Sequence, residues 1–101
     1  MAKGYWIARV DVADTEVYKA YVAANAEPIA KFGGRFLVRG GRFENPEGGS
    51  RTRNVVLEFP SYQAALDCWK SPEYQEAMAL RRPPVSSGDV VIIEGYDGAQ
   101  P

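Results

Sequence analysis

The sequence predicts an α+β domain with elements in the order β-α-β-β-α-β. Three observations predict it. Two strand–helix–strand patterns follow one another, joined by a turn-rich stretch, NPEGGS, at Asn45–Ser50. The chain has 101 residues, the size of one domain, assigned to 1–98 with a short tail at 99–101 expected to fray. The strand-like runs are apolar on both parities, so a sheet made from them needs covering on both faces.

Tyr5 to Val12 (YWIARVDV) is rich in β-branched and aromatic residues and reads as the first strand. Asp14 follows as a helix N-cap, with Glu16 in the first turn. The helix is expected to run to about Lys31, with Val17, Tyr21, Ala24 and Pro28 at helical spacing and Tyr18, Asn25 and Ile29 beside them. Pro28 lacks an N–H, so a kink or break is expected there, and Gly33-Gly34 ends the helix.

Arg35 to Glu44 reads as the second strand, with a bulge or bend expected at Gly40-Gly41. Arg53 to Phe59 (RNVVLEF) is the third, closing a hairpin. Two short helical pieces follow, about 61–69 and 72–82. Ser61 caps the first, whose stripe is Tyr62, Ala65, Leu66 and Trp69. Ser71-Pro72-Glu73 starts the second, with Tyr74, Ala77, Met78 and Arg81 on one face. Pro83-Pro84 stops it, and Asp89 to Tyr96 (DVVIIEGY) is the last strand. Right-handed crossovers then give a ferredoxin-like antiparallel sheet of order 4-1-3-2, with the helices on one face.

Two helices can cover only one face of a four-stranded sheet. Val55-Val56-Leu57, Val90-Val91-Ile92-Ile93 and Tyr5-Trp6-Ile7-Ala8 leave no polar side. The second face is expected to meet an identical chain, since most soluble oligomers are two-fold symmetric.

Composition excludes several function classes. Net charge is −1, from 12 basic and 13 acidic residues, without a basic run beyond Arg81-Arg82, so neither nucleic acid nor an anionic membrane is an expected partner. No stretch approaches the roughly 20 apolar residues of a membrane span, and MAKGYWIARV lacks a signal-peptide core, so a cytoplasmic location is expected. There is no histidine, which removes Ser-His-Asp chemistry and the usual ligand of zinc, copper and haem. No metal-ligand spacing appears, the paired glycines do not form a phosphate cradle, and no cofactor is expected. The single cysteine, Cys68, has no activating neighbour in sequence and reads as structural.

KGYWIARVDV, NAEPIAKFGGRFLVRGG and FPSYQAALDCWKSPEYQEAMALRR resemble the DUF1330 family of the dimeric α+β-barrel superfamily. The likeness runs from Lys3 to about Gly98, and the FPS…A…W…SPEYQ run is its most specific mark. It implies two ferredoxin-like subunits whose sheets form a barrel. It implies no assured activity. The wider superfamily includes cofactor-free monooxygenases, haem-degrading enzymes, dye peroxidases and stress-response binders, and fold does not fix function.

Ionisable residues set into apolar strands are the first candidate site. A charge in a dry interior needs a partner, so cross-strand pairs Arg39–Glu58 and Arg9–Glu94 are expected, either fixing dimer register or orienting an acidic or carbonyl ligand. The second candidate set lies on the helices: Tyr18, Tyr21 and Asn25 on the first, Trp69, Tyr74 and Arg81 on the second pair. Aromatic walls with a few polar tips make small-molecule pockets, although the same spacing also builds plain core. Arg81 stands out as a charge on an apolar stripe. The favoured reading is a homodimer binding a small aromatic or acidic metabolite between helices and sheet, with room for a weak cofactor-independent activity. The alternative is a non-catalytic structural or interaction module, and the sequence leaves open whether the protein is an enzyme at all.

Overall fold

The computed structural model describes residues 2–101. Its first strand, β1 (Gly4–Val12), puts Trp6, Ala8 and Val10 on one face and Tyr5, Ile7, Arg9 and Asp11 on the other. Helix α1 (Thr15–Lys31) starts where the Asp14 carboxylate accepts the Val17 N–H at 3.1 Å. It buries Tyr18, Tyr21, Asn25, Pro28 and Ile29. The helix is one element through Pro28, and the chain neither stops nor restarts there. It ends in a Schellman motif: Gly33, at φ +78°, donates to the Ala30 carbonyl and Gly34 to that of Ile29.

Strand β2 is shorter than the sequence suggests, Arg35–Arg39, because Gly40 turns the chain at φ +68°. The bulge lies earlier than expected, between Phe36 and Val38, where Leu37 is the extra residue. β3 (Arg53–Phe59) alternates cleanly, with Val55, Leu57 and Phe59 buried. α2 (Tyr62–Lys70) and α3 (Pro72–Ala79) share the hinge residue Ser71, whose hydroxyl donates to the Cys68 carbonyl and accepts the Tyr74 N–H. α3 stops three residues before the expected end, and Arg81 lies in the turn beyond it. Cys68, rather than Tyr62, completes the buried stripe of α2, and Tyr62 is exposed. β4 (Ser86–Glu94) starts three residues early, since Ser86-Ser87-Gly88 pair with Val12, Asp11 and Val10. A Cβ at Gly88 would meet the Arg9 carbonyl and the Val10 Cα, so glycine lets the two backbones run this close.

The sheet is antiparallel with order β2-β3-β1-β4, the ferredoxin-like order, and the core lies between it and the helices. The shortest extent of the molecule is 17 Å, a sheet and one helical layer. The other sheet face is uncovered. Across it, Val38, Val56, Ile7 and Val91 form one row through all four strands, and Ile93 extends it beside Tyr5. Ile7 is 41% exposed, Val38 42%, Val91 52% and Ile93 47%, so this band is an apolar stripe in water.

Candidate functional site

A cavity of about 40 Å³ lies under the helices. The aromatic walls come from Trp6 on β1, Phe36 on β2 and Trp69 on α2. Trp6 holds the cluster together. Its ring centroid is 4.9 Å from Phe59, 4.8 Å from Tyr74 and 5.6 Å from Trp69, and its indole N–H donates to the Ala65 carbonyl at 2.9 Å. α1 lowers Tyr18, Tyr21 and Asn25 onto the same space, one helical turn apart.

Three guanidinium groups, of Arg39, Arg53 and Arg81, also line the cavity, and no carboxylate does. Among the described residues none of the three forms an ion pair. Each lies instead over an aromatic ring: Arg39 at 3.9 Å from Phe36, Arg81 at 5.2 Å from Tyr21 and Arg53 at 5.8 Å from Tyr18. Ring contacts orient a cation without neutralising it. Two buried polar atoms here have no hydrogen-bond partner, Asn25 Oδ1 and Arg53 Nε, and Asn25 is only 4% exposed. Such orphans are rare in native interiors.

Tyr21 and Tyr74 share a hydrogen bond of 2.8 Å, and Arg81 Nη2 donates to the Tyr74 hydroxyl at a long 3.5 Å. Burial, followed by the neighbouring Tyr21, pushes the Tyr74 hydroxyl well above its ordinary titration range, so it keeps its proton. Either hydroxyl can donate in the bond they share, which leaves one of the two protons for a ligand. Cys68 takes no part. Its thiol lies against the Pro28 carbonyl at 3.7 Å, and burial pushes it up to about 12.

Of the residues singled out in the sequence, Tyr18, Tyr21, Asn25, Arg39, Trp69, Tyr74 and Arg81 are brought together here, and Glu58 is not. Neither expected ion pair forms. The bulge at Leu37 turns Arg39 to the helix face, opposite Val55, while Glu58 stays on the uncovered face with Arg35 at 3.0 Å and the Tyr5 hydroxyl at 3.0 Å. Arg9 and Glu94 sit on opposite faces of the sheet. Arg9 donates to Asn54, Asn45 and the Gly49 carbonyl. Sequence reasoning missed Arg53, although it shares the parity of Val55, Leu57 and Phe59 and so had to face the helices.

The uncovered face carries the acid-sensitive groups. Hydrogen bonds from Arg35 and then Tyr5 hold the Glu58 carboxyl below its usual range. The Thr52 backbone N–H, assisted by Arg51 against some desolvation, does the same for Asp11. A carboxylate whose folded pKa is depressed contributes stability above its unfolded pKa and loses it as pH falls through the folded value. Thermal stability is therefore expected to hold from pH 7 to about 5 and to fall below about pH 4. Glu58→Gln and Asp11→Asn should each flatten that fall in a melting series. An equally steep fall in the double variant would place the acid sensitivity elsewhere.

Fold and site together define a ferredoxin-like α+β subunit with a cationic, aromatic-walled cavity beneath its helices. The chain belongs to the family described as Domain of unknown function (DUF1330), whose model matches residues 3–96. Among curated proteins, none matches it in sequence. The crystal structure of the RPA0582 protein of unknown function from Rhodopseudomonas palustris is similar at TM-score 0.70 and 18% identity, over 96% of this chain and 85% of that one. A methylated form of RPA0582 is similar at TM-score 0.73 and 18% identity, over 98% and 84% of the two chains. SnoaB, a cofactor-independent oxygenase from Streptomyces nogalater, is similar at TM-score 0.63 and 13% identity, over 100% of this chain and 97% of that one. At these identities the likeness is one of fold. Among the described residues no helix is long and apolar enough to cross a membrane.

Proposed function

We propose that this protein is a cytoplasmic homodimer, paired through its uncovered sheet faces, in which each subunit binds a small aromatic or acidic metabolite in the cavity between helices and sheet. One observation carries the ligand half of this reading: the buried Asn25, whose Oδ1 has no partner, lines a cavity with three arginines and no carboxylate. An anion there satisfies cations that the protein itself leaves unpaired, and an arginine fork suits a carboxylate or enolate oxygen. Asn25 Oδ1 accepts a hydroxyl or N–H of the same ligand. The Tyr21–Tyr74 hydroxyl pair has one proton left to donate to an enolate, which is the form a weak cofactor-independent activity would use. SnoaB, which shares this fold, is a cofactor-independent oxygenase, and that supports the reading.

Thermal melting in the presence of a panel of aromatic and aliphatic carboxylates tests the reading. A ligand at ten times its Kd contributes about 1.4 kcal/mol, which raises Tm by roughly 4–8 °C per kcal/mol in a chain of this size. At least one acid should give such a shift, and Arg81→Met should remove it without lowering the ligand-free Tm by more than a few degrees. If no acid shifts Tm, the alternative of a non-catalytic interaction module takes over.

A further inference from the structure

The cavity is smaller than the ligand its walls invite. An apolar cavity that accepts a benzene ring measures about 150 Å³, and this one measures about 40 Å³. A carboxylate fits within it, and an aromatic ring does not. The cavity shares a wall with a larger space, however. An open groove of about 510 Å³ adjoins it, lined by Val12, Thr15, Lys19 and Thr52, and Tyr18, Val22 and Arg53 line both spaces. Arg53 lies at this junction, with its Nε buried and unpartnered and its guanidinium over the Tyr18 ring. Gly40, at φ +68°, makes room for it, since a Cβ there would meet the Arg53 guanidinium.

We infer that cavity and groove form one elongate site for a planar aromatic acid, its carboxylate inside accepting from Arg81 and from the Asn25 side-chain NH2, its ring passing Tyr18 and Arg53 into the groove. This rests on the ligand-binding reading above and adds to it the class of ligand and its direction. The inner end supplies charge recognition. The groove supplies apolar area from Val12 and Val22, and Lys19 at its rim tolerates a polar substituent on the far end of the ring system. A compact aliphatic acid uses only the inner half, so affinity increases with ring area.

Calorimetric titration with acetate, benzoate, 2-naphthoate and neutral 2-naphthamide, combined with amide chemical-shift mapping, tests the inference. Benzoate is expected to bind at least about tenfold more tightly than acetate, and 2-naphthoate roughly fivefold more tightly again, from the added apolar area. The naphthamide should bind at least about tenfold more weakly than the naphthoate, because it lacks the charge. Acetate should move the amide signals of Asn25 and Arg81, and 2-naphthoate those of Thr15, Lys19 and Thr52 as well. If the acids bind but affinity is flat or falls with ring size, or if the groove amides stay still, the elongate site is wrong and the cavity reading survives. If none of the acids binds, both fail.

Discussion

Ile7→Glu is expected to convert the proposed dimer to a monomer. Ile7 is the centre of the apolar row that crosses the uncovered face, flanked in register by Val56 on β3 and Val91 on β4. Pairing two sheets through a two-fold axis lays this row against its copy, so one substitution places two carboxylates in the interface. Each loses water, a penalty of several kcal/mol per ion that Arg9, already committed to Asn54, Asn45 and the Gly49 carbonyl, does not offset, and the two repel one another. The dimer dissociation constant should rise by at least about a thousandfold, the equivalent of roughly 4 kcal/mol. The monomer should still fold, because Ile7 is 41% exposed in the lone subunit and contributes little to the core beneath it. Val17→Glu, on the exposed side of α1, is the matched control and should leave assembly unchanged. Sedimentation velocity across a dilution series reads both. A wild-type chain that sediments as a monomer at micromolar concentration removes the face-to-face assembly altogether.

The second large effect is on the fold itself. Trp6→Ala should destabilise the subunit by about 3–5 kcal/mol, a large part of the 5–15 kcal/mol typical of such domains. Trp6 is 3% exposed and packs against Phe59, Tyr74 and Trp69, so its removal opens a hole that three other rings line. The indole bond that ties β1 to α2 through the Ala65 carbonyl goes with it. Trp6→Phe keeps a ring and loses that bond, and should cost about 1–2 kcal/mol. Urea unfolding followed by far-ultraviolet dichroism measures both. Equal losses for the two variants would mean that the hydrogen bond, rather than ring packing, dominates at this position.

Much of the site was legible in the sequence for one reason. Helical spacing fixes which residues share a face, so Tyr18, Tyr21 and Asn25 had to point together from α1, and Trp69 and Tyr74 from the helices beyond the hairpin. Arg81 was conspicuous because a charge among apolar positions is costly. Strand parity carried similar information for β1 and β3, which alternate without interruption, and by the same rule Arg53 belonged with Val55 and Leu57. Where parity was interrupted, the reading failed. Arg39 was placed with Glu58 by counting from Leu37, and Leu37 is the bulged residue. One extra residue transfers everything after it to the opposite face. The sequence starts the last strand at Asp89, and Ser86-Ser87-Gly88 joins it because backbone pairing with β1 needs no particular side chains.

The sequence by itself determined the element order, the caps at Asp14, Ser61 and Ser71, and the excess of apolar strand residues that leaves a second face to be covered. Each follows from local spacing and from the cost of exposing apolar area. Only the tertiary structure decided that Arg39 joins Arg53 and Arg81 around one cavity while Glu58 remains on the other side of the sheet. That choice depends on the register between β2 and β3, which is set by contacts between segments distant along the chain and leaves no periodic trace within either.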